Sequence, residues 1–226
     1  KQEPEGFNGL GSFNAPTYDP STSAEIETTS KAIYAQGTLH LGIISDSLEK
    51  FSLTLGVRRT QDKEEGARFT TNYYSDRVYT VLPDTYTVQP RTATLNSDEP
   101  TWTAGLDYAM NENVLLYGKV TRGYKAGGFN QSGVSRMTSE PEFVTNYEIG
   151  MKLDAFDQRL RFNTAVYYMD YDDIQIRITE QGRSFADILL FIDNAGAATI
   201  QGFEMELTAL PTPNIILNAT MGYTDA

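Results

Sequence analysis

The stretch Phe51-Ser52-Leu53-Thr54-Leu55-Gly56-Val57-Arg58 decides how the chain is read. Successive side chains of an extended backbone point to opposite faces, so Phe51, Leu53, Leu55 and Val57 share one face and Ser52, Thr54, Gly56 and Arg58 the other. One face is apolar and the other polar. The same period of two recurs where Phe143, Tyr147, Ile149, Met151 and Leu153 oppose Asn146, Glu148, Gly150, Lys152 and Asp154. It recurs again where Leu160, Phe162, Val166 and Tyr168 oppose Arg159, Arg161 and Asn163, with Thr164 the weak member of the apolar row. Carried along the chain, this pattern predicts eight strands, at 32–42, 51–60, 100–110, 113–123, 143–154, 159–172, 198–209 and 214–224. No helical period competes with it.

The connections left over hold about 8, 39, 2, 19, 4, 25 and 4 residues and alternate short with long, so all the long ones lie at one end. The strands run to about 10–14 residues, whereas a globular strand has about 5–6 and a tilted strand crossing a bilayer needs about 9–11. Long strands, one apolar face and loops long at one end define an antiparallel up-and-down transmembrane β-barrel. The charges agree, because an Arg or Lys at the lipid midplane costs about 2–4 kcal/mol. Only Arg59, Arg122 and Asp170 fall on apolar rows, all at strand ends beside long loops. The opposite rows carry Arg58, Asp107, Lys119, Glu148, Lys152, Asp154, Arg159, Arg161, Glu204 and Glu206, which call for an aqueous lumen or a polar plug.

Composition removes other classes. The 226 residues carry a net charge of −12, which speaks against sequence-independent nucleic-acid binding. There is no cysteine, so disulfides, thiolate metal sites and cysteine nucleophiles are excluded, and a single histidine, His40, precludes a multi-histidine metal site. No stretch approaches the 18 consecutive apolar residues of a membrane helix, a test that strands crossing as a barrel do not face. The chain opens Lys1-Gln2-Glu3-Pro4-Glu5-Gly6, with no basic start and apolar core of a signal peptide.

The segment Tyr117 to Asn130, YGKVTRGYKAGGFN, resembles a strand-and-loop motif of the TonB-dependent outer-membrane receptors. So do Phe51 to Lys63 (FSLTLGVRRTQDK), Trp102 to Tyr108 (WTAGLDY), Phe143 to Met151 (FVTNYEIGM), Leu160 to Gln175 (LRFNTAVYYMDYDDIQ) and Asp193 to Ala209 (DNAGAATIQGFEMELTA). The resemblance implies about eight strands of a larger barrel of about 22, with residues 1–30 an extracellular lead-in and 31–226 a portion of the barrel wall. It also implies a Gram-negative outer membrane and import of a scarce nutrient, a ferric siderophore first, or a vitamin or glycan. The TonB-ExbB-ExbD complex would supply energy through a plug and TonB box that this stretch lacks. No catalytic residue, cofactor or resident metal is implied. Two other readings share the alternation: a soluble β-sandwich that binds carbohydrate or another ligand, and a passive porin-like barrel.

Candidate ligand contacts gather at the outer end of the Arg122–Asn130 segment: Arg122, Tyr124, Lys125, Phe129 and Asn130. In the long 61–99 connection, Phe69, Tyr73, Tyr74, Tyr79 and Tyr86 suit either stacking on a flat ligand or packing among loops, and Tyr73 and Tyr74 are taken as ligand-facing. Other constellations read as wall or loop. Asp170, Asp172 and Asp173 lack the glycine turn and terminal glutamate of a calcium loop. Gly123, Gly127 and Gly128 lack a following Gly-Lys-Ser/Thr, and Glu204 with Glu206 reads as part of a wet row. His40 falls on the polar face at the inner end of the first strand, where a hydrogen-bonded wall contact is expected.

Overall fold

Eight antiparallel strands form one sheet in which each strand pairs only with its neighbours along the chain's main meander. The computed structural model describes residues 17–75, 88–130, 137–181 and 188–226. The sheet is built from β1 (Thr17–His40), β2 (Phe51–Ser75), β3 (Val88–Asn111), β4 (Val114–Lys125), β7 (Glu142–Ala155), β8 (Leu160–Asp172), β11 (Ala198–Thr212) and β12 (Ile215–Asp225). Two small pairs stand apart at the outer end: β5 (Gly128–Phe129) with β6 (Thr138–Ser139), and β9 (Gln175–Gln181) with β10 (Ile188–Asn194). The inner connections are tight, the first holding two 3₁₀ turns at Leu41–Ile43 and Asp46–Leu48.

Register turns the alternation into two continuous faces. One row across all eight strands reads Leu39, Leu53, Leu106, Gly118, Ile149, Val166, Phe203 and Tyr223. The adjacent row reads Thr38, Thr54, Gly105, Lys119, Glu148, Tyr167, Gly202 and Thr224. Hydrogen bonds and an ion pair knit the polar row together. Thr38 meets Thr54 at 2.9 Å, Lys119 meets Glu148 at 3.4 Å, and Tyr167 meets Thr224 at 2.7 Å. His40 Nδ1 lies 2.9 Å from Ser52 Oγ on this face. Asp172 joins Asp170 as an acid on the apolar row, opposite Phe143 at the outer end of β8.

The polar face is the sheltered one. Ile149 is 73% exposed, while the neighbouring Glu148 side chain is 19% exposed. Among the described residues only Phe129 and Phe191 are buried apolar side chains, and Leu55, Val57, Val166 and Met221 stand largely exposed. Two packed sheets would hide these rows against one another. A single sheet that turns them outward excludes the β-sandwich reading and leaves lipid as the medium that covers them.

Strand lengths at the outer end correct the sequence reading. The 39-residue connection expected between 61 and 99 is mostly strand, and the ladder between β2 and β3 runs unbroken from Phe51 with Tyr108 to Thr71 with Val88. The tract 19–30, expected as an exposed lead-in loop, is the outer half of β1 and pairs with β2 from Tyr73 to Asp62. The connection 173–197 likewise carries the β9–β10 hairpin. Past the apolar band both faces of a ribbon meet water, so residues 61–75 have no reason to alternate and carry no period of two.

Candidate functional site

At the outer end, β3 and β4 part after Trp102 pairs with Arg122. β4 stays with β7 to Lys125, and the chain then crosses to β2. Three same-face residues of β2 receive it. The Tyr124 hydroxyl donates to Asp62, the Phe129 backbone N–H donates to Glu64 Oε1 at 2.6 Å, and the Phe129 ring lies on Gly66. A side chain at Gly66 would strike that ring, so the absence of Cβ is what lets the loop settle there.

Arg122 rests its guanidinium 5.0 Å from the centroid of the Phe143 ring, and Tyr124 stacks on the same ring at 6.3 Å. Lys125 holds Glu142 loosely at 3.9 Å and keeps more than half of its side chain in solvent. Asn130 is buried, and both ends of its amide are engaged: Nδ2 donates to the Ile192 carbonyl and Oδ1 accepts the Ile192 N–H, each at 2.8 Å. Its side chain thus completes a backbone-like pair with β10.

Two further amides, not singled out in the sequence, extend this stitching. Gln175 Nε2 donates to the carbonyls of Ala126 and Glu140 at 3.0 and 2.9 Å. Asn194 Nδ2 donates to the carbonyls of Glu140 and Asp173 at 3.0 and 2.7 Å, while its Oδ1 accepts the Glu140 N–H at 2.8 Å. The only available signal was an amide near each root of the 173–197 connection. The structure therefore brings Tyr124, Lys125, Phe129 and Asn130 into one outer cluster and places Arg122 on the adjoining rim. Tyr73 and Tyr74 continue β2 opposite Asp19 and Tyr18; their side chains, with that of Phe69, fall outside the described residues, as do Tyr79 and Tyr86.

An exposed apolar face, a sheltered polar face and outer loops stitched over the strand ends define the wall of a transmembrane β-barrel. The family described as TonB dependent receptor-like, beta-barrel matches residues 2–226, and the chain belongs to that family, whose members sit in the outer membrane of Gram-negative bacteria. A pesticin receptor of Yersinia enterocolitica is 26% identical over 199 residues, which cover 86% of this chain and 26% of the relative. A probable TonB-dependent siderophore receptor of Acinetobacter baumannii is 24% identical over 143 residues, covering 60% of this chain and 18% of the relative. In three dimensions the chain resembles the ferric yersiniabactin uptake receptor of Yersinia pestis, with a TM-score of 0.67 at 20% identity over 91% of this chain and 28% of that one. The chain thus spans about a quarter of the length of these relatives.

Proposed function

We propose that this chain forms part of the wall of a receptor that captures a scarce nutrient at the cell surface and imports it across the outer membrane with energy from the TonB-ExbB-ExbD complex. A ferric siderophore is the favoured cargo. The observation that carries this reading is the pairing of a lipid-facing sheet with a sheltered polar wall under stitched outer loops, in a family whose matched relatives include siderophore receptors. Binding and gated passage break no bond in the cargo, so the reading assigns no catalytic residue.

Within it, Tyr124 and Lys125 meet cargo at the mouth, Arg122 and the outer β2 tyrosines Tyr73 and Tyr74 frame it, and Phe129 and Asn130 act by holding the loop in place. The test is uptake of radiolabelled ferric chelates by iron-starved cells that carry the full-length gene, its deletion, or the gene in a strain without TonB. Uptake that needs both the gene and TonB supports the reading. Uptake that survives loss of TonB points to the passive pore instead. Tyr124→Phe and Lys125→Ala in the full-length receptor are expected to weaken uptake several-fold with membrane insertion unchanged, and unchanged uptake removes these residues from the ligand path.

A further inference from the structure

The inner margin of the sheet carries apolar side chains that neither the wall nor the outer cluster employs. Ile43 and Ile44, in the first inner connection, are 77% and 67% exposed, and Phe156, in the turn between β7 and β8, is 77% exposed. Ile215, which opens β12 after the last inner turn, is 48% exposed.

Both turns are firmly built, so they present these side chains in fixed places. The connection from Leu41 to Lys50 doubles back on itself. Gly42 lies so close to Glu49 that a Cβ would come within 3.1 Å of the Glu49 Cα, and the Lys50 ammonium donates to the Met110 carbonyl at 3.1 Å. In the other turn Phe156, Asp157 and Gln158 have φ of 54, 55 and 63°, a left-handed backbone that residues with a Cβ hold only where their surroundings over-determine it. Arg159 braces that turn. Its N–H donates to the Phe156 carbonyl at 3.1 Å, and its guanidinium donates to the Leu210 and Pro211 carbonyls at 3.1 and 2.6 Å, which ties the turn to β11.

Position says what covers them. Leu39 and Leu53 stand on the lipid-facing row, and Phe51 and Tyr108 follow one step inward with ring centroids 4.8 Å apart. The segment Leu41 to Ile44 begins where that apolar face ends. Phe156 likewise follows Ala155, which pairs with Leu160 at the inner end of the lipid-facing side of β7 and β8, and Ile215 heads the row that runs through Leu217 to Tyr223. These residues thus prolong the lipid-facing wall by one turn, about 5–10 Å, into the layer where headgroups meet acyl chains. Charges of both signs flank them, Asp46 and Glu49 beside Lys50 and Asp157 beside Arg159, which suits a zwitterionic headgroup and lacks the basic cluster that anionic lipid selects.

We propose that Ile43, Ile44, Phe156 and Ile215 form an apolar collar that seats the inner rim of the barrel in the inner leaflet, with phospholipid as its partner. The inference rests on the two faces of the wall and not on the import reading. Another part of the full-length receptor, or a separate protein docked on the rim, is the rival occupant.

The test uses the full-length receptor, free of other cysteines and refolded in phosphatidylcholine vesicles. A nitroxide is attached at Ile43→Cys, Ile44→Cys or Phe156→Cys and, as polar controls in the same two turns, at Ser47→Cys or Asp157→Cys. Power saturation compares collisions with oxygen, which concentrates in the bilayer, and with a neutral nickel chelate, which stays in water. The oxygen-to-nickel ratio is expected to be at least about fivefold higher at positions 43, 44 and 156 than at 47 and 157. Ratios equal to those of the controls mean that the turns stand in water, and low collision rates with both reagents mean that protein covers them. Either result overturns the proposal. Three sites in two turns keep the test decisive should one variant fail to insert.

Discussion

Gly150 and Gly202 show what a missing side chain does for the polar wall. Tyr117 lies over Gly150 and Tyr167 over Gly202, each tyrosine being the cross-strand partner of the glycine it covers. The atoms nearest a methyl at Gly150 belong to the Tyr117 side chain, which can swing aside, whereas one at Gly202 would also meet the Tyr223 carbonyl of the neighbouring backbone. Gly150→Ala should therefore cost about 1 kcal/mol and Gly202→Ala about 1–3 kcal/mol, read as shifts in the urea midpoint of the full-length barrel refolded in vesicles. Just beyond the apolar band, a two-pronged contact with Arg59 at 2.8 Å holds the Asp98 carboxyl below the ordinary carboxylate range. A depressed folded-state pKa means that the pair stabilises above the ordinary carboxylate pKa and is lost as pH falls through the lowered value. An acid titration followed by isotope-edited infrared or NMR should find Asp98 protonating later than exposed acids, and Arg59→Gln should return it toward them. At this scale the sequence singled out the Arg122–Asn130 segment as the root of an outer connection. It could not show that Asn130 turns both ends of its amide to Ile192, because the two residues meet only through the fold.

The strands divide into a half that the sequence announces and a half that it conceals. Where lipid lies on one side and water on the other, alternation is compulsory, and residues 51–60 and 143–154 were readable for that reason. Where β1, β2 and β3 rise past the band, water lies on both sides, the pattern dissolves, and only pairing shows the ribbon. The outer hairpin β9–β10 is held to the rest largely through amides. Asn130→Ala leaves the Ile192 N–H and carbonyl without partners, at a cost of about 1–3 kcal/mol. Backbone amide exchange in 188–194 should accelerate at least tenfold, with exchange in β7 and β8 unchanged; equal exchange in the variant would mean that other contacts hold the hairpin.

For the molecule as a whole, the two faces make opposite demands on substitution. Ile149→Arg places a charge in the lipid-facing row and should cost about 2–4 kcal/mol near the bilayer midplane, seen as a lower folded fraction by gel mobility after refolding into vesicles. Glu148→Gln, one residue away on the polar wall, should refold nearly as well as wild type. If both variants behaved alike, the assignment of faces would be wrong. Charge placement makes this two-sidedness legible in the amino-acid order, because ten charges on one set of rows and four at the margins of the other cannot arise from a buried core. The meander has one further consequence. Each strand takes its register from the strands beside it in the chain, so the wall grows by repeating a local operation, and duplication of one hairpin within the gene would add two staves to the circumference while every existing pairing stayed as it was.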